Sequence, residues 1–555
     1  MRLAAASVFG LVMALPDAGQ AYDAVLKGPR LGAATDLGQT WNQAVLTGAA
    51  ALHLGVLRDE VFWEGVETDR GRFVFDTPRT TYPDLLPELG AALMFLVNNP
   101  HPGHDGGTTP WTEAGVRAFA RYTAEVLRRF PDIGIIEVGN EMNSQTFAWG
   151  PGWEGPIEVR AASYVRLLAA TAQAARAERP GVEVLGGAAH SIPIAWFRAI
   201  FALGAAAYMD GLVIHPYTVP PEQLARQIAL LRHEVPQTMD MPIAVTEFGL
   251  KDAGLAPAYL VKSYCQQAIS GVTEAVWYPL DPRGDGLAAL MTADGSLTPV
   301  GETFRFLRAN FEGQVAEAVA PDPFTYGCRF GADKMVLWGA PRDVTLAAGV
   351  RVLDLSGSTL PATAVRLSPD VPLILDGGSV LLRLGDAVRL GPNGILADSR
   401  DQFAYPGTGA PDPFERLVRQ GGAQTPLLMR PGQERDGVPW TPYLGTDIDG
   451  VARASADWVL PSDPPAGPIE IVYRFRVPRA VTVVAEVRLA PWDGGVTLTV
   501  RVNGRDLRRV AVTQAQTLTL EALALVAGDV IEVVAAPNGS GGGSGLRVIL
   551  HEASG

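Results

Sequence analysis

Eight short apolar segments, separated by stretches with helical periodicity, restrict the fold of this chain more than any other feature. The intervening stretches, such as 116–130, 164–179, 221–234 and 258–269, carry apolar residues at helical spacing. Eight strand–helix units over about 280 residues predict an α/β fold, a closed (β/α)8 TIM barrel, whose usual size is about 250 residues. The predicted strands are Leu31–Thr35, Leu52–Arg58, Leu93–Asn98, Ile133–Asn140, Val182–Gly186, Leu212–His215, Ile243–Glu247 and Ala275–Tyr278.

A doubly wound open sheet is the competing α/β architecture. It would carry a glycine-rich phosphate loop after the first strand, and residues 32–38 lack the full fingerprint of such a loop. The sequence therefore favours the barrel.

The chain is also too long for a single hydrophobic core, at 555 residues. After residue 310 the helical periodicity ends, and short alternating strands separated by Gly, Pro and Asp take its place. This change predicts two all-β domains behind the barrel. We predict the barrel in residues 22–312, an antiparallel β-sandwich in 313–390, a loop-rich linker in 391–435 and a jelly-roll-like β-sandwich in 436–555.

The first 21 residues have the pattern of a signal peptide. Arg2 gives the positive start, residues 3–15 are apolar, and Gly19-Gln20-Ala21 supplies small residues for cleavage. The apolar run is too short to span a bilayer, and Pro16 follows it directly, which disfavours a core helix. We expect a secreted or periplasmic protein that begins near Tyr22 and does not insert into a membrane.

Charge and cysteine content narrow the classes of partner. The formal net charge of −14 disfavours nucleic acid and anionic membranes as partners. The two cysteines, Cys265 and Cys328, form either a disulfide or two buried thiols, and neither has a metal-ligand spacing. No cofactor and no metal are expected.

Two of the predicted strands end at a glutamate. Glu141 follows Val138-Gly139-Asn140, and Glu247 follows Val245-Thr246. The carboxyl ends of barrel strands form the catalytic face, so both carboxylates are expected there. A single glutamate at a strand end is usually a helix cap or a surface charge. A pair of glutamates on different strands of one barrel is the pair of carboxyl groups that hydrolysis of a glycosidic bond requires.

Further motifs lie at the ends of the same strands, and together they carry a family resemblance. The chain resembles the clan A glycoside hydrolases and is most similar to family 39 and its exopolysaccharide-degrading relatives, over the barrel and more loosely the first β-sandwich. That clan commonly has proline after the first glutamate, whereas this chain has Met142. The matching motifs are Asn140-Glu141, His215-Pro216-Tyr217, Thr246-Glu247, Trp277, and Leu57 to Glu67 with Gly71-Arg72-Phe73.

The resemblance implies a retaining glycosidase with Glu141 as the general acid/base and Glu247 as the nucleophile. Arg58 can keep Glu247 ionised, although it could instead pair with Asp59 or Glu60.

The chemistry of the other residue types suggests how they contact the substrate or the carboxylates. Tyr217 could hydrogen-bond the nucleophile, and Asn140 would bind the 2-hydroxyl of the reacting sugar. His215 would orient a carboxylate or a sugar hydroxyl, unless it is a core histidine. Trp277 would form an apolar floor under the sugar, unless it only packs. His101 and Trp149 fall on loops of the catalytic face and are expected to contact substrate.

The substrate expected from this resemblance is a polysaccharide, such as a bacterial exopolysaccharide, with the last β-module as a candidate carbohydrate-binding domain. Two alternatives stay open. One is an exo-acting β-xylosidase or related β-glycosidase, and the other is a non-catalytic carbohydrate-binding protein that retains the barrel.

Overall fold

The computed structural model describes residues 25–361, 364–447, 450–539 and 541–553. Eight parallel strands close into a barrel in sequence order, with β8 pairing back to β1. The predicted TIM barrel is confirmed. The predicted signal peptide, residues 1–21, lies outside the described residues. The barrel strands are β1 Arg30–Ala34, β2 Val56–Asp59, β3 Ala92–Val97, β4 Ile135–Val138, β5 Glu183–His190, β6 Gly211–His215, β7 Ile243–Phe248 and β8 Val272–Trp277.

Helices follow each barrel strand on the outside of the barrel. The longer ones begin at clear start signals: the Thr112 hydroxyl caps α4 by accepting from Gly115 N, and Pro221 occupies the first turn of α7. The helices of the described residues are α1 Gln43–Ala49, α2 Trp63–Val66, α3 Pro78–Thr81, α4 Glu113–Arg129, α5 Ile157–Glu178, α6 Ile194–Ala202, α7 Pro221–Glu234, α8 Ala256–Ile269 and α9 Pro299–Asn310.

The barrel interior is filled by small and medium apolar side chains, one from most strands. Because successive strand residues point to opposite faces, their neighbours pack outward against the helices. This filling closes the interior of the barrel below the carboxyl ends of the strands, where a cavity opens. The interior residues are Ala34, Val56, Met94, Leu185, Val213, Ala244 and Val276.

Behind the barrel lies a β-sandwich of two antiparallel sheets, as the sequence predicts. The six-stranded sheet has the order β14-β13-β16-β11-β10-β9, and the three-stranded sheet has the order β15-β12-β17. Its strands are β9 Ala316–Ala318, β10 Thr325–Phe330, β11 Lys334–Gly339, β12 Asp343–Leu346, β13 Arg351–Leu353, β14 Thr359–Leu360, β15 Val365–Arg366, β16 Leu373–Asp376 and β17 Val388–Leu390.

The last module is a second pair of antiparallel sheets, of nine and six strands. Its first strands are β18 Ile395–Asp398, β19 Phe414–Gln420, β20 Ala423–Pro426, β21 Leu428–Arg430, β22 Tyr443–Gly445, β23 Arg453–Ala454 and β24 Trp458–Leu460. The remaining strands are β25 Glu470–Arg476, β26 Val481–Trp492, β27 Val496–Val502, β28 Arg505–Val512, β29 Gln516–Thr519, β30 Leu523–Leu525, β31 Val530–Pro537 and β32 Gly543–Glu552.

The prediction of a loop-rich linker at 391–435 is wrong. Strands β18 to β21 lie within that range and belong to the sheets of the last module, where β19 pairs with β25 and β18 pairs with β32. The many Gly and Pro residues of this segment mark the turns between strands. The last module therefore begins near residue 395, and the segment is part of its core.

Covalent and polar contacts join the three modules. A disulfide links Cys265 of α8 to Cys328 of β10, which resolves the choice between a disulfide and free thiols. The buried Glu222 carboxylate of α7 accepts from Trp338 Nε1 at 2.9 Å and from Arg400 Nη2 at 3.1 Å, one partner from each β-module. Across the described ranges, no helix combines the length and the apolar character needed to cross a bilayer.

Candidate active site

A cavity of about 850 Å³ opens at the carboxyl ends of the barrel strands. Its volume falls within the range of ligand-binding pockets. Of the nine predicted site residues, the structure brings six together around this cavity. Those six are Arg58, Asn140, Glu141, His215, Tyr217 and Glu247.

The loop after β4 that carries Glu141 is tight and conformationally unusual. Gly139 has φ of +89°, and a Cβ built there would lie 2.3 Å from Met142 Cγ, so only glycine fits. Glu141 itself has φ of +45°, a left-handed conformation that is rare for a residue with a side chain and is frequent at functional sites. The strand thus ends abruptly and turns the Glu141 carboxylate toward the cavity.

Met142, where the clan commonly has proline, takes part in holding this loop. Its backbone N–H donates to Ala188 O at 2.8 Å, and its side chain is buried. Proline has no N–H and could not make this bond. The departure from the family pattern therefore ties the Glu141 loop to β5 without removing a polar group from the cavity.

Glu247 lies at the end of β7, where the register against β8 shifts between Val245 and Phe248. Such a shift changes the side of the sheet to which the following side chains point. Glu247 Oε1 accepts from Arg58 Nη1 at 2.7 Å, and Glu247 Oε2 accepts from the Tyr217 hydroxyl at 3.0 Å. Burial, and then the charge of Glu247, raise the pKa of Tyr217 well above 10, so its hydroxyl remains a donor.

Glu141 is held by two histidines. His190 Nδ1 lies 2.9 Å from Glu141 Oε1, and His215 Nδ1 lies 3.1 Å from the same oxygen. Burial alone would raise the pKa of Glu141, but the hydrogen bonds from the two histidines outweigh it and lower the pKa to about 2. The free protein therefore holds Glu141 as a carboxylate.

His215 carries the proton that Glu141 lacks. Burial would lower the pKa of His215, but Glu247, Glu137 and Glu141 surround it and together raise the pKa to about 9. Its second nitrogen, Nε2, donates to the Thr246 hydroxyl at 2.9 Å, so both ring nitrogens have partners as donors. At neutral pH the His215 ring is an imidazolium between two cavity carboxylates.

The separation of the two glutamates limits the chemistry they can perform. One carboxylate oxygen of Glu141, one of Glu247 and a nitrogen of His215 all lie within 4.8 Å of one another. These three groups could also offer ligand atoms to a metal ion. Arg58 and the charged His215 ring already place two positive groups beside these carboxylates and oppose the entry of a further cation.

Glu137 is a part of the site that the sequence analysis missed. This fully buried residue of β4 accepts from Arg58 Nε at 2.7 Å and from Arg58 Nη2 at 2.8 Å, while Arg58 Nη2 also donates to Asn140 Oδ1 at 2.8 Å. Arg58 thus joins Glu137 to Glu247 rather than pairing with Asp59 or Glu60. A lone charged residue inside an otherwise apolar strand was the available signal.

His190 was also missed, because the prediction ended β5 at Gly186. The strand continues to His190 across a register shift between Gly186 and Ala189, with Gly187 at φ +87°. Two consecutive glycines look like the end of a strand in sequence, whereas here they form a bulge.

The other three predicted site residues do not face the cavity. Trp277 is fully buried, donates from Nε1 to Ala288 O at 2.9 Å and packs edge-on against Phe248, so the expectation that it floors the sugar is wrong. His101 binds Glu67 O through Nε2 at 2.7 Å, and Trp149 is 41% exposed away from the cavity lining. The aromatic rings that line the cavity are instead Phe62, Phe147, Tyr217 and Tyr278.

We expect Glu137→Gln to destabilise the barrel strongly, because it leaves buried Arg58 with one carboxylate instead of two. Burial would raise the pKa of Glu137, but Arg58 lowers it from the usual 4.5 to about 2. A lowered carboxyl pKa stabilises the fold above pH 4.5 and stops doing so as pH falls toward 2. The unfolding free energy, measured by calorimetry, should fall by roughly 3 kcal/mol at pH 7, and this difference should shrink below pH 4.5.

Asp69→Asn is the matched control for that measurement, because its ion pair with Arg72 is 72% exposed on both sides. Its effect should stay below about 1 kcal/mol. Equal losses for the two variants at pH 7 would contradict the importance assigned to the Glu137–Arg58 pair.

Comparison with known proteins supports the fold of this site. No protein-family model and no curated protein matches the chain. A family 39 glycoside hydrolase from Bacteroides cellulosilyticus WH2 superposes with a TM-score of 0.52 at 16% identity, over 63% of this chain and 81% of its own. A family 39 β-xylosidase from Caulobacter crescentus superposes with a TM-score of 0.46 at 18% identity. The match covers 63% of this chain and 96% of the β-xylosidase. A family 39 enzyme from Xanthomonas axonopodis pv. citri superposes with a TM-score of 0.43 at 14% identity. The match covers 92% of this chain and 94% of that enzyme. The superposition on the Bacteroides enzyme confirms the resemblance drawn from the motifs as a shared fold.

Proposed function

We propose that this protein is a retaining glycoside hydrolase, with Glu141 as general acid/base and Glu247 as nucleophile. One observation carries the proposal: a carboxylate oxygen of Glu141 and one of Glu247 lie within 4.8 Å at the carboxyl end of a TIM barrel. Retaining glycosidases hold their two carboxyl groups about 5–5.5 Å apart, whereas inverting enzymes need about 6.5–9.5 Å to admit a water molecule.

In the first step Glu247 attacks the anomeric carbon and forms an ester bond to the sugar. The glycosidic C–O bond breaks, and Glu141 gives its proton to the departing oxygen. In the second step Glu141 takes a proton from water, whose oxygen attacks the anomeric carbon, and the ester bond to Glu247 breaks. Arg58 and Tyr217 support both steps, since they orient Glu247 and stabilise its charge when it leaves the sugar.

The proton for the first step is stored on His215 in the free enzyme. His215 Nδ1 lies 3.1 Å from Glu141 Oε1, so the proton can cross one hydrogen bond to reach the carboxylate. Bound substrate excludes water from Glu141, and this desolvation favours the protonated acid. The low pKa of Glu141 in the free protein is therefore compatible with a role as general acid.

The cavity also offers contacts to the reacting sugar. Asn140 Oδ1 is taken by Arg58, so its Nδ2 group is the donor it can direct at a sugar hydroxyl. Phe62, Phe147 and Tyr278 provide apolar surface for the C–H faces of sugar rings in place of Trp277.

A polysaccharide, such as a bacterial exopolysaccharide, is the substrate class we propose. The two β-modules beside the barrel support a polymer substrate, and the Cys265–Cys328 disulfide supports the predicted export, because disulfides persist in oxidising compartments. An exo-acting β-glycosidase would use the same residues in a closed pocket. A non-catalytic binding protein would have no need for the paired glutamates and the charges that hold them.

We expect activated 2-fluoro glycosides to leave a covalent sugar on Glu247, because they form the glycosyl-enzyme faster than it hydrolyses. Mass spectrometry of the intact protein and of its peptides measures the adduct across a panel of sugars, and the reactive sugar identifies the specificity. Glu247→Gln should form no adduct. Glu64→Gln, which changes an exposed glutamate outside the cavity, is the control and should react like the wild type.

An adduct on another residue, or one that persists in Glu247→Gln, would contradict the assignment of the nucleophile. A complete absence of adducts and of released reducing ends would favour the binding protein.

The pH dependence of kcat/KM should report the proton shared by His215 and Glu141. Because the free enzyme must hold this proton, activity should fall as pH rises through about 9, the pKa to which the surrounding carboxylates raise His215. His215→Asn removes the imidazole that holds this proton and leaves only the Glu141 carboxyl group to hold it. The alkaline limb of the profile should therefore move to lower pH.

The control is His53→Asn, at an exposed position whose φ of +49° asparagine tolerates. It should keep the wild-type profile. An alkaline limb that stays in place in His215→Asn would exclude His215 as the proton store.

A further inference from the structure

The segment 431–442 of the last module lies against the loop that carries Glu141. Pro431 O accepts from Ile194 N at 3.1 Å, which joins this segment to the start of α6. Gly432 and Gln433 both have left-handed φ values, of +80° and +54°. A Cβ on Gly432 would lie 2.5 Å from the carbonyl of Thr441, so this tight turn requires glycine. The turn buries the Gln433 side chain, which is 5% exposed.

The Gln433 amide binds Asn143 through both of its ends. Gln433 Nε2 donates to Asn143 O at 2.6 Å, and Gln433 Oε1 accepts from Asn143 Nδ2 at 2.6 Å. Asn143 is fully buried two residues after Glu141, and Arg160 Nη1 also donates to its carbonyl at 2.6 Å. Such a two-ended pair fixes both the position and the rotation of Asn143.

Asn143 in turn holds the backbone of His190. Its Oδ1 accepts from His190 N at 2.8 Å, and its Nδ2 donates to His190 O at 3.2 Å. The ring of Trp440 packs edge-on against the His190 ring, with centroids 5.2 Å apart and planes at 80°. Two contacts from the last module therefore converge on His190, whose Nδ1 lies 2.9 Å from Glu141 Oε1.

We propose that Gln433 and Trp440 are positioning residues for the acid/base: the last β-module orients His190, and through it Glu141, for proton transfer to the leaving group. This inference rests on the proposed function of Glu141. The left-handed φ of Glu141 makes its loop dependent on surrounding contacts, and the contacts from Gln433 and Trp440 come from a different module. The module is thereby part of the catalytic apparatus rather than only an attached domain.

A leaving-group comparison separates this role from a purely structural one. An aryl glycoside with a poor leaving group, such as phenyl, needs the proton from Glu141, whereas a 2,4-dinitrophenyl glycoside does not. We expect Gln433→Ala to lower kcat/KM for the phenyl glycoside about tenfold more than for the dinitrophenyl glycoside of the same sugar. Trp440→Ala should behave alike, and Trp440→Phe, which keeps an aromatic edge, should restore most of the loss.

Two further variants calibrate the comparison. Glu141→Ala gives the largest difference in kcat/KM between the two glycosides that loss of the general acid can cause. Gln424→Ala removes an exposed amide that accepts from Arg474 within the last module, and it should leave both rates unchanged.

The second readout is the NMR resonance of His190 Cε1 in protein labelled on histidine, assigned with His190→Gln. It should shift in Gln433→Ala and stay fixed in Gln424→Ala.

The outcomes are distinguishable. Two results together would overturn the proposal. Gln433→Ala would leave the His190 resonance unshifted, and it would lower kcat/KM equally for both glycosides or for neither. If Glu141→Ala itself showed no leaving-group dependence, the proposed function would fail, and the resonance alone would then decide whether the last module positions His190.

Discussion

The guanidinium of Arg58 lies buried among Glu137, Glu247 and Asn140, and it donates to all three at 2.7–2.8 Å. Three carboxylates this close together could not remain ionised in a dry interior without a compensating charge. Arg58 supplies one positive charge and His215 the second. Together with the carboxylates of Glu137, Glu141 and Glu247, these groups carry a net charge of about −1. The roles proposed for Glu247 and Glu141 follow from this balance, since Arg58 binds Glu247 and His215 lies beside Glu141.

Irregular backbone at the ends of three strands brings these groups together. The left-handed Glu141 lies in the loop after β4, and β5 carries a bulge before His190. The register of β7 against β8 shifts between Val245 and Phe248, the interval that contains Glu247. A regular barrel would send part of these side chains outward, because strand residues alternate between its two faces. Packing and hydrogen bonds hold this irregular backbone, and the hydrogen bonds extend to Gln433 of the last module, which binds Asn143.

Local sequence patterns were sufficient to predict the barrel and to place Glu141 and Glu247 at the carboxyl ends of its strands. Buried strands are apolar, and a carboxylate at a strand end interrupts that pattern. They failed where structure depends on distant partners. The segment 391–435 reads as loop, yet Phe414–Gln420 becomes a strand by pairing with Glu470–Arg476. The position of Trp277 followed from family resemblance, but the cavity lining uses its neighbour Tyr278. His190 lay beyond a pair of glycines that only the folded sheet identifies as a bulge.

The central claim is that Glu141 and Glu247 stand close enough for double displacement. It is tested most directly by the anomeric configuration of the first product, followed by proton NMR immediately after the protein is mixed with a glycoside that it hydrolyses. The account predicts that the first product keeps the configuration of the substrate and only later mutarotates. A first product of inverted configuration would mean that water attacks directly, and it would contradict the assignment of Glu247 as nucleophile.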